Sequence, residues 1–261
     1  MAAAELGSIR ICVVTGGGSE AWSVINHLAD HGAAVSVIVE KREPKRLMLR
    51  RRLRLCGPRA AAGQFIAMCA LSAARILVAP RISEVFARGG ADIRRRQDYA
   101  VIDVETVNSL KTTATIDRLS PHVVLCIGCR LMSRSTIDQI AAPLLNLHPA
   151  ILPQYRGHHG GYWALASGDC DNFGCTVHFV DSGADTGTIV RQVRGRPLPG
   201  DTILTYHARL ALLAAPLAVL AVKDVVERRV PHCPDIRPSG AHRYQPSPTQ
   251  YLKAGFKRGV W

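Results

Sequence analysis

The chain has 261 residues, with 33 Lys and Arg against 20 Asp and Glu, a net charge of +13, and 48% hydrophobic residues. That length and apolar content exclude a chain without a core and suit one large α/β domain with at most a small appendage. The charge favours anionic partners such as phosphorylated metabolites, nucleotides, nucleic acid or a membrane surface.

Ile9 to Thr15 (IRICVVT) predicts a buried strand, followed by a glycine turn, GGGSE, into a helix with Ser19 as its N-cap. Ala33 to Glu40 predicts a second buried strand, so the chain opens as the β-turn-α-β unit of a parallel, Rossmann-like sheet. Lys41 to Gly57 is basic at helical spacing. Ala60 to Pro80 is apolar, interrupted by Gly63, Gln64 and Arg75. Residues 41–80 therefore read as a helical insertion, two helices packed on the sheet edge. The uninterrupted apolar part is shorter than the ~20 residues a membrane span needs, although a helix on a membrane surface remains open.

Asp98 to Glu105 predicts a third strand. A polar-faced helix follows and ends before Pro121, and Pro121 to Cys129 predicts a fourth strand, central because its apolar run is continuous. RSTIDQIA predicts a helix and APLLNLH a fifth strand that ends on Asn146 and His148. These two side chains, two apart on a strand, point to one face, and Pro149 stops the strand beside them. An amide next to an imidazole at a sheet's end suits polarising a carbonyl and moving a proton.

A short helix, GYWALASGD, follows the Pro- and Gly-rich loop. Gly174 to Val180 then alternates, with Cys175, Val177 and Phe179 on one face and Thr176, His178 and Val180 on the other. After the turn DSGADTG, TIVRQVRGR predicts a last strand that makes the end of the sheet antiparallel. Asp201 or Thr202 is read as the cap of a long, mostly buried helix over residues 203–229, bent at Pro216. Residues 231–261 read as an extended cover, leaving 1–230 as the main domain.

Eight cysteines sit mostly in apolar runs. Cys126 and Cys129 form C-x-x-C with no second pair at zinc spacing, so structural thiols are expected and no metal. The opening MAAAELGSIR has neither a basic n-region nor an apolar h-region, which reads as a cytoplasmic protein with reduced thiols.

Gly16 to Ala21 also satisfies the relaxed dinucleotide pattern G-x-G-x-x-A, with Glu40 ending the next strand. The same loop would hold a lone phosphate on the helix N-terminus. Asp181 and Asp185 are the carboxylates available to His148, and an Asp near that ring would favour its charged form and take part in proton transfer.

NLHPAILPQYRG, then GCTVHFVDSGADTG, resembles the folate-dependent formyltransferases, the family of glycinamide ribonucleotide, methionyl-tRNA and sugar-nucleotide amine formyltransferases. The likeness runs from about Ile9 to Arg229 and is densest from Pro121 to Thr202. It implies formyl transfer from 10-formyltetrahydrofolate to an amine. Asn146 would donate to the formyl oxygen, His148 would stabilise the oxyanion and help move the proton, and Asp185 would partner His148 and hold a relaying water. Cys129, Arg130, Leu131 and Met132 would line the pterin pocket, with Asp181, Ser182, Gly183 and Ala184 as its other wall. Gly17, Gly18 and Ser19 would hold the acceptor's phosphate, and Thr176 and His178 would support the site from behind. Leu152–Pro153 is a candidate cis peptide.

Tyr155-Arg156-Gly157 and Trp163 resemble the tRNA and sugar branches, while His158-His159-Gly160-Gly161 matches none closely. The barrel that follows this fold in methionyl-tRNA enzymes has no counterpart, so the expected acceptor is an anionic small-molecule amine, glycinamide ribonucleotide-like first and an amino sugar nucleotide second. Nucleic acid and a transmembrane segment are not expected; a homodimer is compatible. A formyltetrahydrofolate hydrolase, an NAD(P)-binding oxidoreductase and a nucleic-acid binder are the alternatives, the last resting on the basic segment that begins at Lys41.

Overall fold

A computed structural model describes residues 5–230 and 242–261. The first half alternates strand and helix. β1 (Arg10–Thr15), α1 (Ser19–Asp30) and β2 (Ala34–Glu40) lead into α2 (Lys45–Leu77) and α3 (Ala79–Arg88). Then come β3 (Ala100–Val104), α4 (Leu110–Leu119), β4 (Val123–Ile127), α5 (Arg134–Ile137) and β5 (Leu144–His148). α6 (Gly160–Ser167), β6 (Gly174–Phe179), β7 (Ile189–Arg194), α7 (Tyr206–Val226) and α8 (Pro248–Arg258) complete the chain.

The seven strands form one sheet in the order β3-β2-β1-β4-β5-β6-β7. β1 to β5 are parallel; β6 and β7 are antiparallel to their neighbours. This is the expected Rossmann-like sheet with an antiparallel end, and β4 is its middle strand.

Side-chain alternation divides the core into two layers. Ile11, Val13, Leu145, Leu147, Cys175 and Val177 face α1 and α7 in the main core. Cys12, Val14, Cys126 and Leu144 face the other way, against Ile116 of α4 and Met132. On that second face α5 has only four residues, so helical cover gives out at β5 and β6. The positions that would otherwise need apolar partners there are Asn146, His148, Thr176 and His178.

Local chemistry sets several boundaries differently from the sequence reading. Ser19 is the first residue of α1 rather than its cap; Gly18 holds the cap position at φ 107°, where a side chain would be strained. Thr205, not Asp201 or Thr202, precedes α7, because the Asp201 carboxylate is taken by the Leu198 N–H and Arg209. α7 is one helix through Pro216, whose ring faces solvent. The Leu152–Pro153 bond is cis.

The insertion has the expected two helical stretches, split at Gly57 (φ 77°, ψ 167°) just before Pro58, but α2 packs chiefly against α3 and α8 rather than along the sheet edge. Gly63, Gln64 and Arg75 do not interrupt it. Gly57–Leu77 is one helix of 21 residues, by length and composition able to cross a membrane.

The expected extended cover falls partly on residues 231–241, which lie outside the described residues, as does Cys233. Residues 242–247 do run over the protein: Gly157 and Arg243 form a parallel bridge, and the Trp163 Nε1–H donates to the Tyr244 carbonyl at 2.9 Å. The chain then turns into α8 instead of staying extended, started by a capping box in which Ser247 and Gln250 satisfy each other's backbone N–H groups.

Phe173 is fully buried, 5.8 Å from the Tyr206 ring, between α6 and α7. Phe173→Ala is expected to cost about 3–5 kcal/mol, read as a lower urea midpoint with an unchanged slope.

Candidate active site

β5 and β6 pair so that Asn146 lies opposite His178 and His148 opposite Thr176. All four side chains leave the sheet on the face that the short α5 does not cover. The hairpin loop after β6 starts level with Leu144, where the Val180 N–H bonds the Leu144 carbonyl, then folds back across this face. It delivers Asp185, at φ 56°, to His148. His148 Nδ1 lies 3.6 Å from Asp185 Oδ1, and His178 Nε2 lies 3.9 Å from the same oxygen.

The hydrogen bonds fix the ring protons. A carbonyl oxygen only accepts, so the His178 nitrogen facing it carries the hydrogen: Nδ1–H donates to the Phe179 carbonyl at 2.7 Å. His178 Nε2 then accepts from the Asn146 amide at 3.0 Å. Burial and the neighbouring His148 lower the His178 pKa, which keeps this ring neutral. His148 Nε2–H donates to the Tyr155 carbonyl at 3.2 Å, which turns Nδ1 toward Asp185.

Burial alone would raise the Asp185 pKa. The His148 ring, the Gly157 N–H at 2.9 Å, and the His178 and His242 rings outweigh it and hold the carboxyl below its ordinary value. The site therefore pairs an ionised carboxylate with an imidazole whose open nitrogen faces it. Thr176 lies behind, donating to the Ala150 carbonyl at 2.7 Å and accepting from the Leu152 N–H and from Gln192. It thus anchors the loop that leaves His148.

Two loops flank these groups. In the loop after β4, Met132 is buried in the second core layer, Cys129 packs beside it, and Leu131 is 63% exposed. Arg130 turns away from Asn146: its backbone N–H and guanidinium go to Glu40 and its Nη2 to the Lys41 carbonyl. The backbone N–H groups of Leu131 and Met132 have no protein partner among the described residues, which suits the acceptor edge of a heterocycle. In the loop after β6, Asp181 is occupied internally by the Thr186 hydroxyl and the Gly183 N–H, and Ser182 is exposed. Arg156 holds the Ala184 carbonyl at 2.6 Å.

Gly17, Gly18 and Ser19 lie at the same edge of the sheet, past the end of β1, two strands from β5. The Gly17 N–H already bonds Thr15 Oγ1, and Glu20 in the first turn of α1 pairs with Arg75 of α2. Glu40, the acid required by a dinucleotide reading, is 4% exposed and bonds the Val107 and Arg130 N–H groups, so it is not free for a ribose.

A histidine cluster adjoins the acid–base pair. His207 Nε2 lies 2.9 Å from His159 Nδ1, and His159 Nε2 lies 2.6 Å from Gln245 Oε1, a chain that closes with both rings neutral. Burial, with Arg75 and His158 nearby, pushes the His207 pKa down to about 4; burial, His207, Arg52 and Arg75 push His159 to about 3. His158 is exposed at the mouth of the cluster, and the groups shielding its ring, with His159, Arg52 and His242, lower its pKa. The sequence marks His158-His159 only as a departure. His207 lies in a helix read as core, and Gln245 and His242 in a tail read as cover, so spacing gave no signal for their meeting. A cavity of about 530 Å³ at the opposite edge of the sheet, lined by Arg10, Ala34, Tyr99 and Pro121 among others, holds no histidine. The polar cluster, not cavity size, marks the site.

Residues 9–222 match the family model described as "Formyl transferase". The chain belongs to the formyl transferase family. Phosphoribosylglycinamide formyltransferase of Mycobacterium tuberculosis is 38% identical over 119 residues, covering 43% of this chain and 55% of that protein. The chain thus spans about half the length of that relative. Among solved structures, a glycinamide ribonucleotide transformylase from Symbiobacterium toebii superposes with TM-score 0.55 at 21% identity, covering 85% of this chain and 89% of that one. A sugar N-formyltransferase from Shewanella also gives 0.55, at 14% identity, covering 90% and 76%. At these identities the structures share the fold.

The lowered pKa values of His159 and His207 predict how stability responds to pH. Between about 4 and the ordinary imidazole value of about 6.5, the unfolded chain holds protons that the folded one does not, so stability falls on acidification. The Tm at pH 5 is expected to lie below that at pH 7, and His207→Gln should narrow the gap. A Tm that stays flat between these pH values would contradict the neutral pair.

Proposed function

We propose that this formyl transferase family member moves a formyl group from 10-formyltetrahydrofolate to the amine of an anionic small molecule. The reading is carried by the convergence of Asn146, His148 and Asp185 on one face of β5, although nearly forty positions separate the carboxylate from the amide. Its frame is a catalytic domain over residues 1–230.

The folate supplies the formyl carbon when bound. The loop over residues 129–132, with two N–H groups unpartnered among the described residues, and the loop over 181–185 fit the two sides of such a heterocycle. Asn146 spends one amide hydrogen on His178 and keeps the second for a carbonyl oxygen on which negative charge develops. As the amine bonds to the formyl carbon, His148 takes up its proton at Nδ1, where Asp185 stabilises the resulting imidazolium, and the proton passes to the donor nitrogen released when its bond to that carbon breaks. Asp185, fixed by the Gly157 N–H, remains ionised at neutral pH and accepts from the incoming amine directly or through one water. His178, held neutral, orients the Asn146 amide and carries no proton in the step.

On the acceptor side, the loop over residues 16–19 sits near Arg75, and Arg52 and Arg75 act on the histidine cluster. The net charge of +13 suits an anionic acceptor. Glycinamide ribonucleotide is the first acceptor to test, supported by the name of the Mycobacterium tuberculosis relative. An amino sugar nucleotide is the second, supported by the superposition on the Shewanella enzyme.

Asn146→Ala and His148→Ala are each expected to lower kcat by about 10²–10³ in folate-dependent formylation of the better acceptor, and Asp185→Asn to do so with an altered pH profile. Turnover near wild type in all three variants would sink the assignment.

A further inference from the structure

α2 presents an apolar stripe that the other described residues leave open. Beyond the break at Gly57, the helix leans inward through Ala61 and Ala67, both buried, and Leu71, which touches the main core. Arg75 on the same side pairs with Glu20. On the opposite side Ala62, Ile66, Ala70, Ala73 and Leu77 follow at steps of three and four, and all are exposed. Ile66 is 61% exposed, Ile76 76% and Leu77 83%. Of the helix Gly57–Leu77, long and apolar enough to cross a membrane, only 11% is buried.

The charge of the α2 segment has a single sign. Between Glu43 and Glu84 the chain has nine Lys and Arg and no Asp or Glu. Arg46, Arg50 and Arg54 are exposed on the first half of α2, together with Leu47 and Leu53. An apolar stripe with an arginine-rich flank matches a surface that is apolar below and anionic above. A second copy of this chain would set one cationic array against another. A nucleic acid would need stacking aromatics, and Phe65 is the one aromatic residue from Lys45 to Leu77.

We propose that α2 docks this protein peripherally on an anionic lipid bilayer, with Ala62, Ile66, Ala70, Ala73 and Leu77 in the headgroup–acyl boundary and Arg46, Arg50 and Arg54 on lipid phosphates. The helix lies in the plane of the surface and does not cross it. Its inner side carries Gln64 and the Arg75–Glu20 pair and packs on α8, and a span would strip all of these from the protein. Docking does not depend on the formyl-transfer reading. Where that reading holds, the Arg75–Glu20 pair brings the bilayer beside the acceptor loop.

Sedimentation of the full chain with vesicles of equal parts phosphatidylcholine and phosphatidylglycerol tests this. Binding is expected at low salt, and weaker binding to pure phosphatidylcholine or at high salt. Ile66→Glu with Leu77→Glu should lower binding at least about tenfold, and Arg46→Gln with Arg50→Gln and Arg54→Gln should do the same. Both variants change exposed side chains, so each should melt at the wild-type temperature. No sedimentation with the anionic vesicles, equal binding to neutral ones, or binding that survives both variants would overturn the proposal. So would self-association abolished by Ile66→Glu without any vesicle binding, which would give the face to a second copy.

Discussion

The antiparallel pairing of β5 with β6 is the constraint on which the polar centre depends. A parallel neighbour would have sent its following loop off the same edge as the loop after His148. The reversed strand ends level with Leu144, and its hairpin loop folds back across the sheet face before β7 begins opposite His178. Asp185 meets His148 during that return, and the same register places His178 behind Asn146. The acid–base pair thus follows from strand direction as much as from the residues themselves.

Leaving polar groups on a sheet face is costly unless each finds a partner. Here the partners come largely from backbone. The Phe179 carbonyl receives His178, the Tyr155 carbonyl receives His148, and the Gly157 N–H binds Asp185. These bonds set the ring tautomers and leave one amide hydrogen and one imidazole nitrogen for chemistry. Cys126 shows the opposite use of the same sheet. Its thiol, hydrogen-bonded to that of Cys129 and buried, has its pKa pushed well up, so it packs as a small hydrophobe.

The second organising feature is the departure from strict alternation after β2. α2 places arginines near the end of β1 and over the histidine cluster while leaving its outer side to solvent. The tail then closes over α6 through Arg243, Tyr244 and Gln245. The surroundings of the histidine cluster are therefore assembled from segments far apart in the chain, around the mixed sheet.

Much of this architecture was legible in the residues. Apolar runs between glycine and helix signals located the first five strands, alternation in Gly174 to Val180 gave the sixth and sorted its two faces, and the turn DSGADTG set off the seventh. Asn146 and His148 could be placed on one face because a strand has a period of two. The expectations that failed concern helix caps, the packing of the insertion and the tail. Asp201 has the right chemistry for a cap but is claimed by Arg209, a competition invisible before the helix folds. Residues 41–80 were expected on the sheet edge because periodicity does not tell which side of a helix has a partner. Strand identity, the shared face and the family motifs are local properties, so the sequence by itself determined them. The approach of Asp185, the ring tautomers, the histidine cluster and the open stripe on α2 depend on strand direction and on distant segments meeting, which only the tertiary structure decided.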